Sequence, residues 1–303
     1  MRRFLAVLAF ALAMTSGMSA QQETPPATFQ SSSDLVVMPV TVTDRDGRLI
    51  SGLTRDRFAL YDNDRPIDLK FFSANDTPVT VALVVDNSAS MRGRHAEVVA
   101  AATAFASWSN PDDQMLAFVF NERVDDALDG RELSAADAAG LEEALAAARP
   151  DGRTALYDAL LTALDRLRTV ETTRKVLIAI SDGGDNASTA SLSAVLDEAR
   201  KANVTIYTIG LVDPTSTDVD TGVLKKLADL SGGARYLPES AGPLMRACGD
   251  IAREIRQSYT LGVEPRANDG SFHRLRVAVA SPDGRKTHVR TRPGYVAPGA
   301  SKR

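Results

Sequence analysis

Two hydrophobic rhythms divide this 303-residue chain. Near both ends apolar residues tend to fall at every second position, the spacing of strands that bury one face. Between them, continuous apolar runs alternate with stretches of helical spacing. The strand rhythm first covers residues 35–43, then 53–62 with Phe58 and Leu60 on one face, then 67–72. Turn sequences separate these segments at Asp44-Arg45-Asp46-Gly47 and Asp62-Asn63-Asp64-Arg65-Pro66. The rhythm returns over 258–264, 272–279 and 287–291, with Ser281-Pro282-Asp283-Gly284 as a hairpin-type turn. Three strands alone are marginal and leave open edges, so the two sets are expected to pair with each other.

The middle of the chain predicts strands at 81–86, 114–120, 175–181, 204–211 and 234–237. Residues 124–128 are expected to run antiparallel beside 114–120. Helical spacing covers 94–108, 134–148 with Ser134 as its cap, 155–167, 191–202, 222–230 and 244–257. Val-rich runs without alternation read as strands buried on both faces, which implies a parallel sheet between layers of helices. The expected fold is therefore α/β: a doubly wound, mainly parallel sheet, residues 77–257, inserted in a small β-sandwich built from 34–76 and 258–296. Domain ends often lie close together, which makes such an insertion feasible.

The first residues change the picture of where the chain works. Met1-Arg2-Arg3 precedes an apolar run over 4–14 and a small-residue stretch ending at Ala20. Residues 1–20 read as a secretory signal peptide, which predicts a periplasmic or extracellular protein. Cleavage after Ala20 and retention as an anchor are both open. No other apolar run reaches the roughly 18 residues of a membrane span, so none is expected in the mature chain. Residues 21–33, rich in Gln, Pro, Ser and Thr, read as a disordered spacer, and 297–303 as a loose tail. Loss of 1–20 removes two arginines and no acids, taking the formal net charge from −4 to −6. A mildly acidic chain without a basic cluster argues against a nucleic-acid partner. The single cysteine, Cys248, forms no intramolecular disulfide, and the three scattered histidines give no basis for a zinc site.

The run 81–86 ends in Asp86-Asn87-Ser88-Ala89-Ser90. One carboxylate and two hydroxyls at alternate positions sit at the carboxyl end of a buried strand, where α/β sheets bind ligands. Oxygen-only sets of this kind suit hard cations such as Mg2+ and Mn2+. Thr154 opens a helical pattern after Gly152-Arg153, and Asp182 ends the 175–181 strand before Gly183. Each of these residues alone is commonly a turn or cap residue. All five in this order resemble the metal-ion-dependent adhesion site of the von Willebrand factor type A domains, which include the integrin I domains. The resemblance covers about 78–256, and the flanks resemble an exported bacterial subgroup of the family.

That resemblance implies a bound Mg2+ or Mn2+. Ser88 and Ser90 would be direct ligands, Thr154 direct in a ligand-engaged state, and Asp86 and Asp182 would act mostly through water. An open coordination position would accept an Asp or Glu from a partner protein. It also implies that the last helix of the domain, 244–257, responds to the site. Asp185 and Asn186 could line the rim, and Arg153 could steer acidic partners or simply be solvated. The expected function is an exported, metal-dependent, adhesion-type binding module. The alternatives are a structural subunit of an envelope assembly with a vestigial site, or a metallohydrolase. An enzyme is not expected, because the sequence has no Gly-x-Ser-x-Gly elbow, phosphate loop or separate general base. The oligomeric state is not legible in the sequence.

Overall fold

The computed structural model describes residues 35–211, 220–281, 284 and 286–299. The expected signal peptide at 1–20, the expected spacer at 21–33 and residues 300–303 lie outside the described residues. The chain opens with β1 (Val36–Thr43), β2 (Phe58–Asp62), β3 (Arg65–Ile67) and β4 (Leu69–Ser73). Then follow β5 (Thr80–Asp86), α1 (His95–Trp108), β6 (Gln114–Phe120), β7 (Val124–Asp126), β8 (Leu133–Ser134), α2 (Ala138–Ala147) and α3 (Leu156–Thr169). Next come β9 (Lys175–Ser181), α4 (Leu192–Lys201), β10 (Val204–Gly210), α5 (Thr221–Ser231), β11 (Arg235–Tyr236) and α6 (Ala241–Gln257). The chain closes with β12 (Tyr259–Val263), β13 (Phe272–Val279), β14 (His288–Arg290) and β15 (Gly294–Val296).

The main sheet has the order β11-β10-β9-β5-β6-β7, with β8 also on β6. Strands β6, β5, β9 and β10 are parallel neighbours, and β7 runs antiparallel beside β6 as expected. All seven residues of β5 are buried, because helices cover both faces. Side-chain alternation splits the strand between two cores. Val81, Leu83 and Val85 pack with α1, α2 and α6, while Ala82 and Val84 pack with α3, α4 and α5. Each fully buried Val or Leu contributes about 1.5–3 kcal/mol, so the central strands are the most firmly fixed part of the fold.

The N- and C-terminal strands interleave in two four-stranded sheets, β14-β1-β12-β4 and β15-β13-β2-β3. Strand β1 lies between two C-terminal strands, with Val40 opposite Tyr259 and Val42 opposite Val289. Between the sheets, Phe58, Phe72 and Tyr259 form an aromatic cluster with ring centroids 5.0–6.0 Å apart. The Tyr259 hydroxyl accepts from the Leu53 amide and donates to the Ile50 carbonyl, so the ring's polar end is satisfied inside the sandwich.

Three local expectations change. The strand expected over 67–72 is divided: β3 pairs with β2, whereas β4 pairs with β12 in the other sheet, and the chain crosses between sheets at Asp68. Ser134 does not cap α2. It ends β8, and its hydroxyl donates to the Pro111 carbonyl; Asp137 is the cap, accepting from the Gly140 amide at 3.1 Å. The tail begins later than expected. Strand β15 pairs with β13, Ala297 is buried, and its amide donates to the Ser271 carbonyl.

A polar seam joins the sandwich to the main sheet. Glu254, near the end of α6, accepts from the hydroxyls of Thr41 at 3.0 Å and Tyr207 at 2.6 Å and pairs with Arg290. Arg174, just before β9, donates to the Ile255 carbonyl at 2.6 Å and the Ser258 hydroxyl at 2.9 Å. Arg292 reaches from the sandwich to the Asn203 side chain and the Arg200 carbonyl.

Candidate metal centre

The site lies at the carboxyl ends of β5 and β9, the middle strands of the sheet. Asp86 is the last residue of β5 and is 1% exposed. One of its oxygens accepts from the Ser88 amide at 2.9 Å, which closes the turn after the strand. The other accepts from the Ser181 hydroxyl at 2.6 Å, across from β9. Ser181 in turn accepts from the Gly183 amide. The Ser90 hydroxyl donates to Asp182 at 2.9 Å, and the Ser88 and Ser90 hydroxyls are 3.0 Å apart. Since Ser90 spends its one proton on Asp182, Ser88 donates to Ser90. The other Asp182 oxygen accepts from the Gly184 amide.

Four of the five motif residues therefore form one hydrogen-bonded cluster. Thr154 has no direct bond to the other four, but its segment is fixed beside them. The Gly152 carbonyl accepts from the Ala89 amide, and the Asp151 amide donates to the Asn87 carbonyl. The Asn186 side chain accepts from the Thr154 amide at 2.9 Å, while the Thr154 carbonyl accepts from the amides of Asn186 and Ala187. Among the described residues the Thr154 hydroxyl makes no hydrogen bond, although the residue is 6% exposed. Two glycines permit these turns. At Gly152, φ is +78° and an added Cβ would lie 1.8 Å from the Glu122 carboxylate. At Gly183, φ is +85° and a Cβ would lie 2.7 Å from the Asp220 carbonyl.

Ser181 and Asn186 organise the site and were not singled out from the sequence as doing so. Ser181 reads as the polar end of an apolar strand. Its signal is that a hydroxyl directly precedes an acid at a buried strand terminus. Asn87 points away from the cluster, as its alternation predicts, and donates to the Arg149 carbonyl.

The donor set fits a small divalent cation. Octahedral Mg2+ holds oxygens at about 2.1 Å, which puts adjacent ligand oxygens about 3.0 Å apart. The Ser88–Ser90 oxygen separation is 3.0 Å. Two carboxylates and three hydroxyls supply the oxygens, and among the described residues no group of three or more His, Cys, Asp or Glu is arranged to hold a metal. Electrostatics also favours a cation. Burial pushes the Asp86 carboxyl up to about 6, the Ser181 and Ser88 bonds pull against this, and the neighbouring Asp182 charge adds to it. Cys248 is buried in the core, and burial pushes its thiol up to about 12, out of the reactive range.

A doubly wound sheet with an oxygen-rich centre at its carboxyl edge defines the class. The chain belongs to the von Willebrand factor type A domain family, whose profile matches residues 80–241. The von Willebrand factor type A protein from Catenulispora acidiphila superposes with a TM-score of 0.54 at 14% identity, covering 90% of this chain and 76% of that one. The vWF domain of the type V pili tip protein Mfa5 from Porphyromonas gingivalis gives 0.50 at 15% identity, over 59% of this chain and 95% of that chain. The PilB minor pilin of Streptococcus sanguinis gives 0.50 at 12% identity, over 61% and 63%. At these identities the likeness is one of fold. No match is found among curated proteins. Among the described residues no helix is long and apolar enough to cross a membrane.

Proposed function

We propose that this chain is an exported protein-binding module that uses a divalent cation, Mg2+ or Mn2+, to capture an acidic side chain of a partner. The observation that carries this reading is the Ser88–Ser90–Asp182 chain beside a buried Asp86 whose hydrogen-bond donors, Ser88 and Ser181, are neutral. Ser88, Ser90 and Thr154 would offer hydroxyls to the ion. Asp86 and Asp182 would hold those hydroxyls and supply the charge. With only two acids in the set, a bound ion keeps affinity for a third carboxylate, and the partner supplies it. We read the site as binding rather than turning over substrate, because Asp86 and Asp182 each accept hydrogen bonds within the cluster. The reading of residues 1–20 as a signal peptide supports work outside the cytoplasm. So does the resemblance of the fold to a pilus tip protein and a minor pilin.

The test is calorimetric titration of the metal-stripped chain with Mg2+ and Mn2+ beside Asp86→Ala. One saturable site, absent in a variant that keeps its circular dichroism, is the expected result. A folded wild-type chain that shows no binding up to about 10 mM, above the millimolar affinities of weak extracellular sites, would overturn the reading.

A further inference from the structure

The mouth of the metal centre is electrically lopsided. On the β6 side, three loops are joined into one plate against the motif. The Asn87 amide donates to the Phe120 carbonyl, the Ala155 amide to Asn121 and the Ala89 amide to Gly152, all within 3.1 Å. This plate carries four exposed arginines, Arg92, Arg123, Arg149 and Arg153. Its acids are fewer and already engaged. Asp151 pairs with Arg92 at 3.3 Å. Glu122 accepts from the Arg153 amide at 2.8 Å and lies between the charges of Arg123 and Arg153.

On the β10 side the sign reverses. Residues 182–190 bear Asp182 and Asp185 and no base, and Asp220 stands at the start of α5. Asp185 accepts from the Tyr157 amide at 3.2 Å and the Ser188 hydroxyl at 2.5 Å, and Asp220 accepts from the Gly222 amide at 2.9 Å. Neither acid has a basic partner in these bonds, and both charges act on the Tyr157 phenol. Burial raises it first, and the charges of Asp185 and Asp220 raise it further. Arg235 reaches this flank but donates to the Thr221 carbonyl.

We propose that the arginine plate selects partners in which the metal-ligating acid belongs to an acidic run, laid toward β6 and away from Asp185 and Asp220. This rests on the metal-bridging reading above and adds the chemistry of the partner. Arginine presents a planar fork that suits carboxylates. Exposed pairs are individually weak, but two or three of them amount to about tenfold in affinity and steer encounter as well.

The test uses the full chain and fluorescent peptides of the form Gly-Ser-Asp followed by three Glu or three Ser, read by polarisation with and without Mg2+. In Mg2+ the Glu peptide is expected to bind about tenfold tighter. That ratio should fall to about one in the double variant Arg123→Ser/Arg153→Ser and to an intermediate value in Arg123→Lys/Arg153→Lys, which keeps the charge and loses the fork, with Mg2+ affinity unchanged in both. Equal binding of the two peptides to wild type, or a ratio unmoved by the serine variant, overturns the proposal. A ratio that depends on arginine but survives metal removal and Asp86→Ala keeps the plate and overturns the metal bridge. If neither peptide binds under any condition, the plate is overturned, and the Mg2+ titration alone decides the metal reading.

Discussion

Asp86 and Glu254 are both buried acids at the ends of regular elements, and their surroundings differ in kind. Glu254 has its counter-charge built in: Arg290 pairs with it, while Thr41 and Tyr207 donate to it. Asp86 has only neutral donors, Ser88 and Ser181, and its charged neighbour is another acid, Asp182. A buried charge lacking a partner is costly unless the countercharge arrives from outside. The chain closes the seam by itself, whereas at Asp86 the proposed ion would supply the countercharge.

Breaking the self-contained site should have the largest effect. Glu254→Ala removes the acceptor of the buried Tyr207 and Thr41 hydroxyls and leaves the part-exposed Arg290 unpaired, a loss of about 3 kcal/mol by urea unfolding. Completing the other site should give the next largest. Mg2+ at a hundred times its Kd is expected to add about 2.7 kcal/mol, several degrees in Tm.

Asp86→Asn sharpens the contrast because its sign is opposite to that of Glu254→Ala. The metal-free wild type carries a folded Asp86 value of about 6 against 3.8 for the free group, which costs about 3 kcal/mol once the carboxylate is ionised. Because the folded value lies above the unfolded one, the cost is absent below about pH 4 and complete above about pH 6. The metal-free Asn variant should therefore be more stable than wild type by about 2 kcal/mol at pH 7.5, with the gap closing as pH falls toward 4. It should bind no Mg2+. A variant less stable than wild type at pH 7.5 would mean that Asp86 is held for its hydrogen bonds alone. The smallest effect is expected at a site outside both regions. Asp137→Ala should cost about 1 kcal/mol by removing the α2 cap, with Mg2+ affinity untouched.

The same contrast marks what was legible in the sequence. The central strands were readable because burial on both faces demands unbroken apolar runs, and β5 is Thr-Val-Ala-Leu-Val-Val-Asp. Part of the candidate site was legible because three of its residues are close in sequence, while Thr154 and Asp182 were placed only by the order of the whole motif. Asp86, Ser88 and Ser90 lie on one turn, and Asp182 directly follows β9. Glu254 was not readable. It sits among the apolar residues of α6, and its partners Thr41 and Tyr207 are 213 and 47 residues away. Ser134 and Asp137 are both good caps three residues apart, and only the pairing of β8 with β6 decides between them. Strand β15 is three residues long with too little pattern to register, and the crossing at Asp68 breaks no periodicity that a window would detect.

The interleaved sandwich also sets a schedule for the newborn chain. Apart from a bridge between Thr43 and Leu49 at its end, β1 has no partner strand until β12 and β14 exist, and the Leu53 amide waits for a tyrosine 206 residues downstream. At roughly 5–20 residues per second of synthesis, that wait is roughly ten to forty seconds. Contacts so distant in sequence form last, after the inserted lobe with its mostly nearby strand neighbours has something to close around. Pulse-labelled hydrogen exchange during refolding should thus protect β5 and β9 before β1. For tens of seconds after it emerges, the N-terminal hairpin region is an open edge in search of a strand, and that interval is when this protein most needs a chaperone.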